Sequence, residues 1–70
     1  MKVYFENSKK KEIFIGDADD DRQAMKIIKN FCSERGFEIY YTRMWIDGDN
    51  ENRTHVDVGS HFEFFILDME

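Results

Sequence analysis

Seventy residues suffice for one small domain spanning positions 1–70, and a chain of this size buries only about 60% of the surface its unfolded form exposes. Hydrophobic residues at 41% and aromatics at 16% exclude a disordered chain. Fifteen Asp and Glu against ten Lys and Arg leave a net charge of -5, which excludes the basic footprint of a direct nucleic-acid binder.

The opening "MKVYFE" alternates Val3 and Phe5 with Lys2, Tyr4 and Glu6, and "EIFI" sets Ile13 and Ile15 against Phe14, so two short strands joined by "NSKKK" make a hairpin. Opposed residues of an antiparallel pair point the same way. Phe5 facing Ile13 and Val3 facing Ile15 therefore share one face, and Tyr4 with Phe14 the other. "GDADDD" leads into "RQAMKIIKNFCSERG", where Ala24, Ile27, Ile28, Phe31 and Cys32 recur at helical spacing. Asp20 is placed to cap this single helix, with Gln23 three residues on, and Gly36 is placed to end it. "FEIYYTRMWI" predicts a third strand, with Phe37, Ile39, Tyr41 and Trp45 on one side and Tyr40, Met44 and Ile46 on the other, closed by the polar "DGDNENR".

The segment "DVGSHFEFFIL" reads as one strand or two. Val56, Val58, Phe62, Phe64 and Ile66 are all even-numbered, and a two-residue Gly59-Ser60 hairpin would set the valines on the face of His61 and Glu63. A straight strand from about Thr54 to Leu67 keeps the apolar residues together, with Gly59 as a bend. A three-residue Gly59-Ser60-His61 loop also preserves this parity, but its commonest form carries glycine last. Parity thus predicts the straight strand, in which Gly59→Ala costs about 1 kcal/mol or less. Pairing it with the third strand sets Trp45 beside Val56, Ile39 beside Phe62 and Phe37 beside Phe64. The predicted fold is α+β, a two-layer sandwich of order β-β-α-β-β, with a four-stranded antiparallel sheet and one helix on one face.

No motif for catalysis stands out, and no catalytic residue is expected. His55, Asp57, His61 and Glu63 share the sheet face away from the helix and have the residue types of a metal site. On a straight strand, however, His55 and His61 are about 20 Å apart, so the geometry is poor for one four-ligand site and favours a pair, His55 with Asp57 or His61 with Glu63. Cys32 falls in the helix's apolar stripe and reads as a small buried thiol rather than a nucleophile. "DADDD" and "DGDNE" resemble calcium loops, yet neither places glycine and glutamate at the positions an EF-hand needs. Neither metal nor cofactor is expected. A lone cysteine and the lack of a charged-then-apolar leader point to the cytoplasm. The longest apolar run, Phe64 to Leu67, is far short of the roughly 20 residues of a membrane span.

One helix covers one side of a sheet. The other side is expected to present Tyr4, Phe14, Tyr40, Met44, Ile46, Phe65 and Leu67, an apolar surface that a monomer rarely leaves bare. Such a face predicts docking of a second copy or of another protein.

The second half, "YYTRMWIDGDNENRTHVDVGSHFEFFIL", resembles small proteins of phages and prophages of Gram-positive bacteria, which have a tyrosine-rich strand, a polar turn and a closing "D-[VY]-G-S-H" segment followed by aromatics. Tyr40, Tyr41, Asp57, Gly59, Ser60 and His61 match that pattern over about residues 39–67, while the turn "DGDNENR" is longer and more acidic. The resemblance implies no assigned activity and a setting in which short acidic accessory proteins bind something of the host. The expected function is a non-catalytic interaction module that binds itself or a host protein. Two alternatives are a small metal-binding protein and an acidic DNA-mimic inhibitor of a host nucleic-acid enzyme, of the anti-defence or anti-CRISPR type. The inhibitor would make contact through Asp17, Asp19, Asp20, Asp21, Asp47, Asp49 and Glu51.

Overall fold

The computed structural model describes residues 1–60 and 63–69. The chain runs β1 (Lys2–Glu6), β2 (Glu12–Asp17), α1 (Asp21–Arg35), β3 (Arg43–Ile46), β4 (Arg53–Asp57) and β5 (Phe64–Asp68). It is an α+β fold whose five strands form one antiparallel sheet in the order β2-β1-β5-β4-β3, with α1 packed across one face. Among the described residues no helix is long and apolar enough to cross a membrane.

The first hairpin follows from local chemistry. Asn7 accepts the backbone N–H groups of Lys9 and Lys11 and turns the chain, and Lys10 takes a left-handed φ of 62° within the turn. Phe5 faces Ile13 and Tyr4 faces Phe14, as their alternation predicts, but a bulge then sets Gly16 rather than Ile15 opposite Val3. The helix comes close there: a Cβ on Gly16 would sit 3.1 Å from Ile27 Cδ1.

Helix α1 has the predicted ends. Extended Asp20 accepts the Gln23 N–H at 2.9 Å, while the Gln23 side chain accepts the Asp19 N–H. Gly36, at a left-handed φ of 72°, stops the helix, and Phe37 N–H then reaches back to the Cys32 carbonyl at 2.8 Å. Ala24, Ile28 and Cys32 are buried, with Ile27 and Phe31 packed against the same core. Cys32 is a core residue, and its burial pushes the thiol up, with the Glu63 charge adding to the effect.

The end of the chain differs from its sequence reading. No strand runs straight from Thr54 to Leu67. Strands β4 and β5 are separate, joined through positions 58–63, and Gly59 has a φ of 95° instead of an extended backbone. The sheet therefore has five strands rather than four, and the order is β-β-α-β-β-β. The longer connection pairs even positions with odd ones, Val56 with Phe65 and Thr54 with Leu67, so the apolar parity reverses along the segment. Phe65 and Leu67 are core residues, set between β4 and β1, where they pair with Phe5 and Val3. Phe65 meets Phe5 at 5.5 Å and Phe31 edge-to-face at 5.8 Å. Phe62, the expected neighbour of Ile39, lies outside the described residues.

Strand β3 is shorter than expected. Phe37 and Ile39 precede it and pack on the core from a non-strand segment, so neither pairs with β5. Its register with β4 is also shifted by one residue: Met44, not Trp45, faces Val56, which sends Trp45 to the side away from the helix, opposite His55.

Candidate interaction surface

Edge strand β3 is exposed at every residue. Met44, Trp45 and Ile46 are all accessible, Ile46 at 64%, and Tyr40 just upstream is exposed at 70%. The strand pairs with β4 at the opposite side of the sheet from β1 and β2, the strands on which α1 chiefly packs. Its helix-side residues, Met44 and Ile46, therefore have a backbone scaffold and only partial cover.

Behind the edge lies a polar ladder. Asp57, only 5% exposed, accepts the Gly59 N–H at 2.9 Å through Oδ1 and the Arg43 guanidinium at 3.0 Å through Oδ2, and the Tyr41 hydroxyl approaches at 3.4 Å. A carboxylate so buried needs its charge matched and its lone pairs used, and these contacts do both. The Asp57 to Gly59 bond bends the chain out of β4. Val58 then accepts Tyr40 N–H at 3.0 Å, which ties the tyrosine segment to the turn. Arg43 lies 5.5 Å over the Trp45 ring, and Trp45 stacks on His55 at 5.6 Å and 11°. His55 Nε2 in turn bonds Asp47 Oδ2 at 2.9 Å.

The face away from the helix is partly closed by its own side chains. Arg53 on β4 reaches across β5 and β1 to Glu12 on β2 at 2.6 Å and also pairs with Asp68, and Ile66 in the central strand is buried there. Tyr4 and Phe14 remain on this face in an edge-to-face pair at 5.9 Å. The seven residues expected to share it do not. Tyr4 and Phe14 lie at the β1–β2 side, Met44 and Ile46 project to the helix side of the far edge, and Tyr40 flanks β3. Phe65 and Leu67 are excluded because the β4–β5 register turns them into the core. Trp45, Tyr41 and Arg43 join the surface although their alternation does not mark them for it; the signal in the sequence is that "RMWI" has no Lys, Pro or bulge to guard it as an edge.

The metal candidates are otherwise engaged. His55 and Asp57 do point to the same face, but one is held by Asp47 and the other by Arg43 and the Gly59 N–H. Glu63 bonds Ser60, while His61 lies outside the described residues. Among the described residues no three His, Cys, Asp or Glu come together as a metal would require. The acidic residues have separate roles. Asp20 caps the helix, Asp21 lies in its first turn, and Asp47 holds His55 and the Asp49 N–H within the β3–β4 turn. Asp17, Asp19, Asp49 and Glu51 are exposed.

The bond from His55, then that from the Asp49 N–H, lowers the Asp47 carboxyl below its ordinary range. A depressed folded-state value means stability that is complete above the ordinary carboxylate range and lost as pH falls through the lowered one. The melting-temperature gap between the protein and its Asp47→Asn variant is therefore expected to be full at neutral pH and to close in acid. A gap unchanged down to strong acid would show that the carboxylate charge contributes nothing.

No family model, no curated protein and no solved structure matches this chain.

Proposed function

We propose that this chain is a non-catalytic protein-interaction module, a cytoplasmic accessory protein of a phage or mobile element as the resemblance over residues 39–67 implies, that binds itself or a host protein. The binding surface is the β3 edge with Tyr40 and Tyr41, in place of the wide outer face. One observation carries the reading: an edge strand whose Met44, Trp45 and Ile46 are all exposed, on a chain small enough that unburied apolar surface is costly. Aromatic and Met side chains on such an edge are the anchors that protein interfaces favour.

The test is Ile46→Lys, which adds charge to the edge without touching the core. Expected is an unchanged circular dichroism spectrum and melting temperature, with loss of self-association in sedimentation and of any host protein retained by the wild type. A wild type that stays monomeric and retains nothing, or a variant that associates and binds equally well, overturns the reading.

A second reading, the acidic mimic, draws support from the topology. Asp17 ends β2 beside Lys2, Asp68 and Arg53, so "DADDD" and the β3–β4 turn with Asp47, Asp49 and Glu51 sit at the same end of the sheet. A host nuclease or polymerase released by moderate salt would favour it, since screening weakens exposed charge pairs. A salt-resistant homodimer favours the edge.

A further inference from the structure

Building on the interaction-module reading, we infer that the occupant of the β3 edge is a second copy of this chain, paired antiparallel through β3 so that the two sheets become one. The two ends of the sheet differ. Strand β2 is guarded, with Glu12 and Asp17 at its ends, a bulge opposite Val3 and Tyr4, and the helix lying over Gly16. Strand β3 pairs with β4 in an unbroken register, and the charges at its ends, Arg43 and Asp47 just beyond it, are of opposite sign.

The hydrogen-bond phase of the edge selects the register. Asp47 N–H bonds the Arg53 carbonyl, and bonded pairs alternate along an antiparallel ladder. Arg43 and Trp45 thus spend their backbone groups on Asp57 and His55 of β4, while Met44 and Ile46 aim theirs away from the sheet. A two-fold axis perpendicular to the sheet at Trp45 sets Met44 against Ile46 of the second copy, and Ile46 against its Met44, with N–H facing C=O at each. Both pairs are apolar and lie on the helix side.

The same axis sets Trp45 against Trp45 and Arg43 against Asp47 at both ends, all on the opposite side. That pairing is charge-complementary twice over on a chain whose net charge otherwise repels its copy. Sliding the axis to Met44 would put Arg43 against Trp45 and Asp47 against Tyr41, which loses both charge pairs, and sliding it to Ile46 would put Met44 against Gly48 and Trp45 against Asp47, which loses apolar pairs. The edge is therefore self-complementary in backbone groups, apolar contacts and charge in one register.

Site-specific cross-linking of the full chain tests both partner and register, since the native Cys32 is buried. Under diamide, Trp45→Cys is expected to form an interchain disulfide. Met44→Cys alone should not link, but Met44→Cys mixed with Ile46→Cys should. Ile46→Pro provides an orthogonal check: its N–H faces outward, so the variant should keep its fold and sediment as a monomer at concentrations where the wild type is a dimer. Cross-linking of Met44→Cys to itself would overturn the register. A wild type that remains monomeric at submillimolar concentration, with no Trp45→Cys link, would overturn the dimer. In that last case, loss of a host protein's binding on Ile46→Lys would leave the module reading intact, and equal binding would remove both.

Discussion

Truncating Phe65 to alanine is expected to destabilise the fold by about 3–5 kcal/mol, the usual cost of removing a fully buried phenylalanine. The side chain has no exposure and stands at the centre of an aromatic cluster, against Phe5 at 5.5 Å and Phe31 at 5.8 Å. Neither neighbour can move into the space without leaving its own contact with the other, at 4.7 Å. For a chain of this size the loss is a large share of a total stability of roughly 4–10 kcal/mol. The informative control is Phe64→Ala, one residue away on the opposite face and only half-buried, which should cost far less. Denaturant unfolding of the two variants ranks them directly. A larger loss at Phe64 than at Phe65 would mean that β5 has the even-numbered face inward and that the hairpin register is wrong.

Gly59→Ala is expected to cost about 2–3 kcal/mol, in contrast to the mild change an extended strand implies, because two effects add. Its φ of 95° lies where an L side chain is strained, and a Cβ would stand 2.8 Å from the Tyr40 Cβ. Gly59→Pro should be worse still, since proline cannot adopt this φ and has no N–H to give Asp57. That buried carboxylate would then retain only its Oδ2 contacts to Arg43 and Tyr41. A double-mutant cycle separates strain from collision: Tyr40→Gly in the Gly59→Ala background should recover part of the loss, because it removes the atom that is struck. Thermal melts of the four proteins give the coupling. A Gly59→Ala cost below about 1 kcal/mol, with no coupling to Tyr40, would return Gly59 to an ordinary extended strand.

Both predictions bear on the same segment because it is where local and long-range information part. Helix α1 was legible residue by residue, from the Asp20 cap through the buried Ala24, Ile28 and Cys32 to Gly36, since each signal acts within a turn or two of chain. The first hairpin was legible for the same reason, its Phe5 to Ile13 and Tyr4 to Phe14 pairs following from alternation alone, up to the bulge. Beyond residue 37 the apolar residues fall on both parities, so alternation could not say which set faces the core. That was decided by tertiary pairing. Strand β5 entered the centre of the sheet between β1 and β4, which required odd residues Phe65 and Leu67 to meet Phe5 and Val3, and the turn at Gly59 took up the difference. The candidate surface was decided with it. Tyr40, Met44 and Ile46 are exposed because β3 was left at the edge, whereas Phe65 and Leu67, equally apolar in sequence, were given neighbours on both sides. A strand's order in a sheet depends on contacts between residues far apart in the chain, and no pattern within the strand records it.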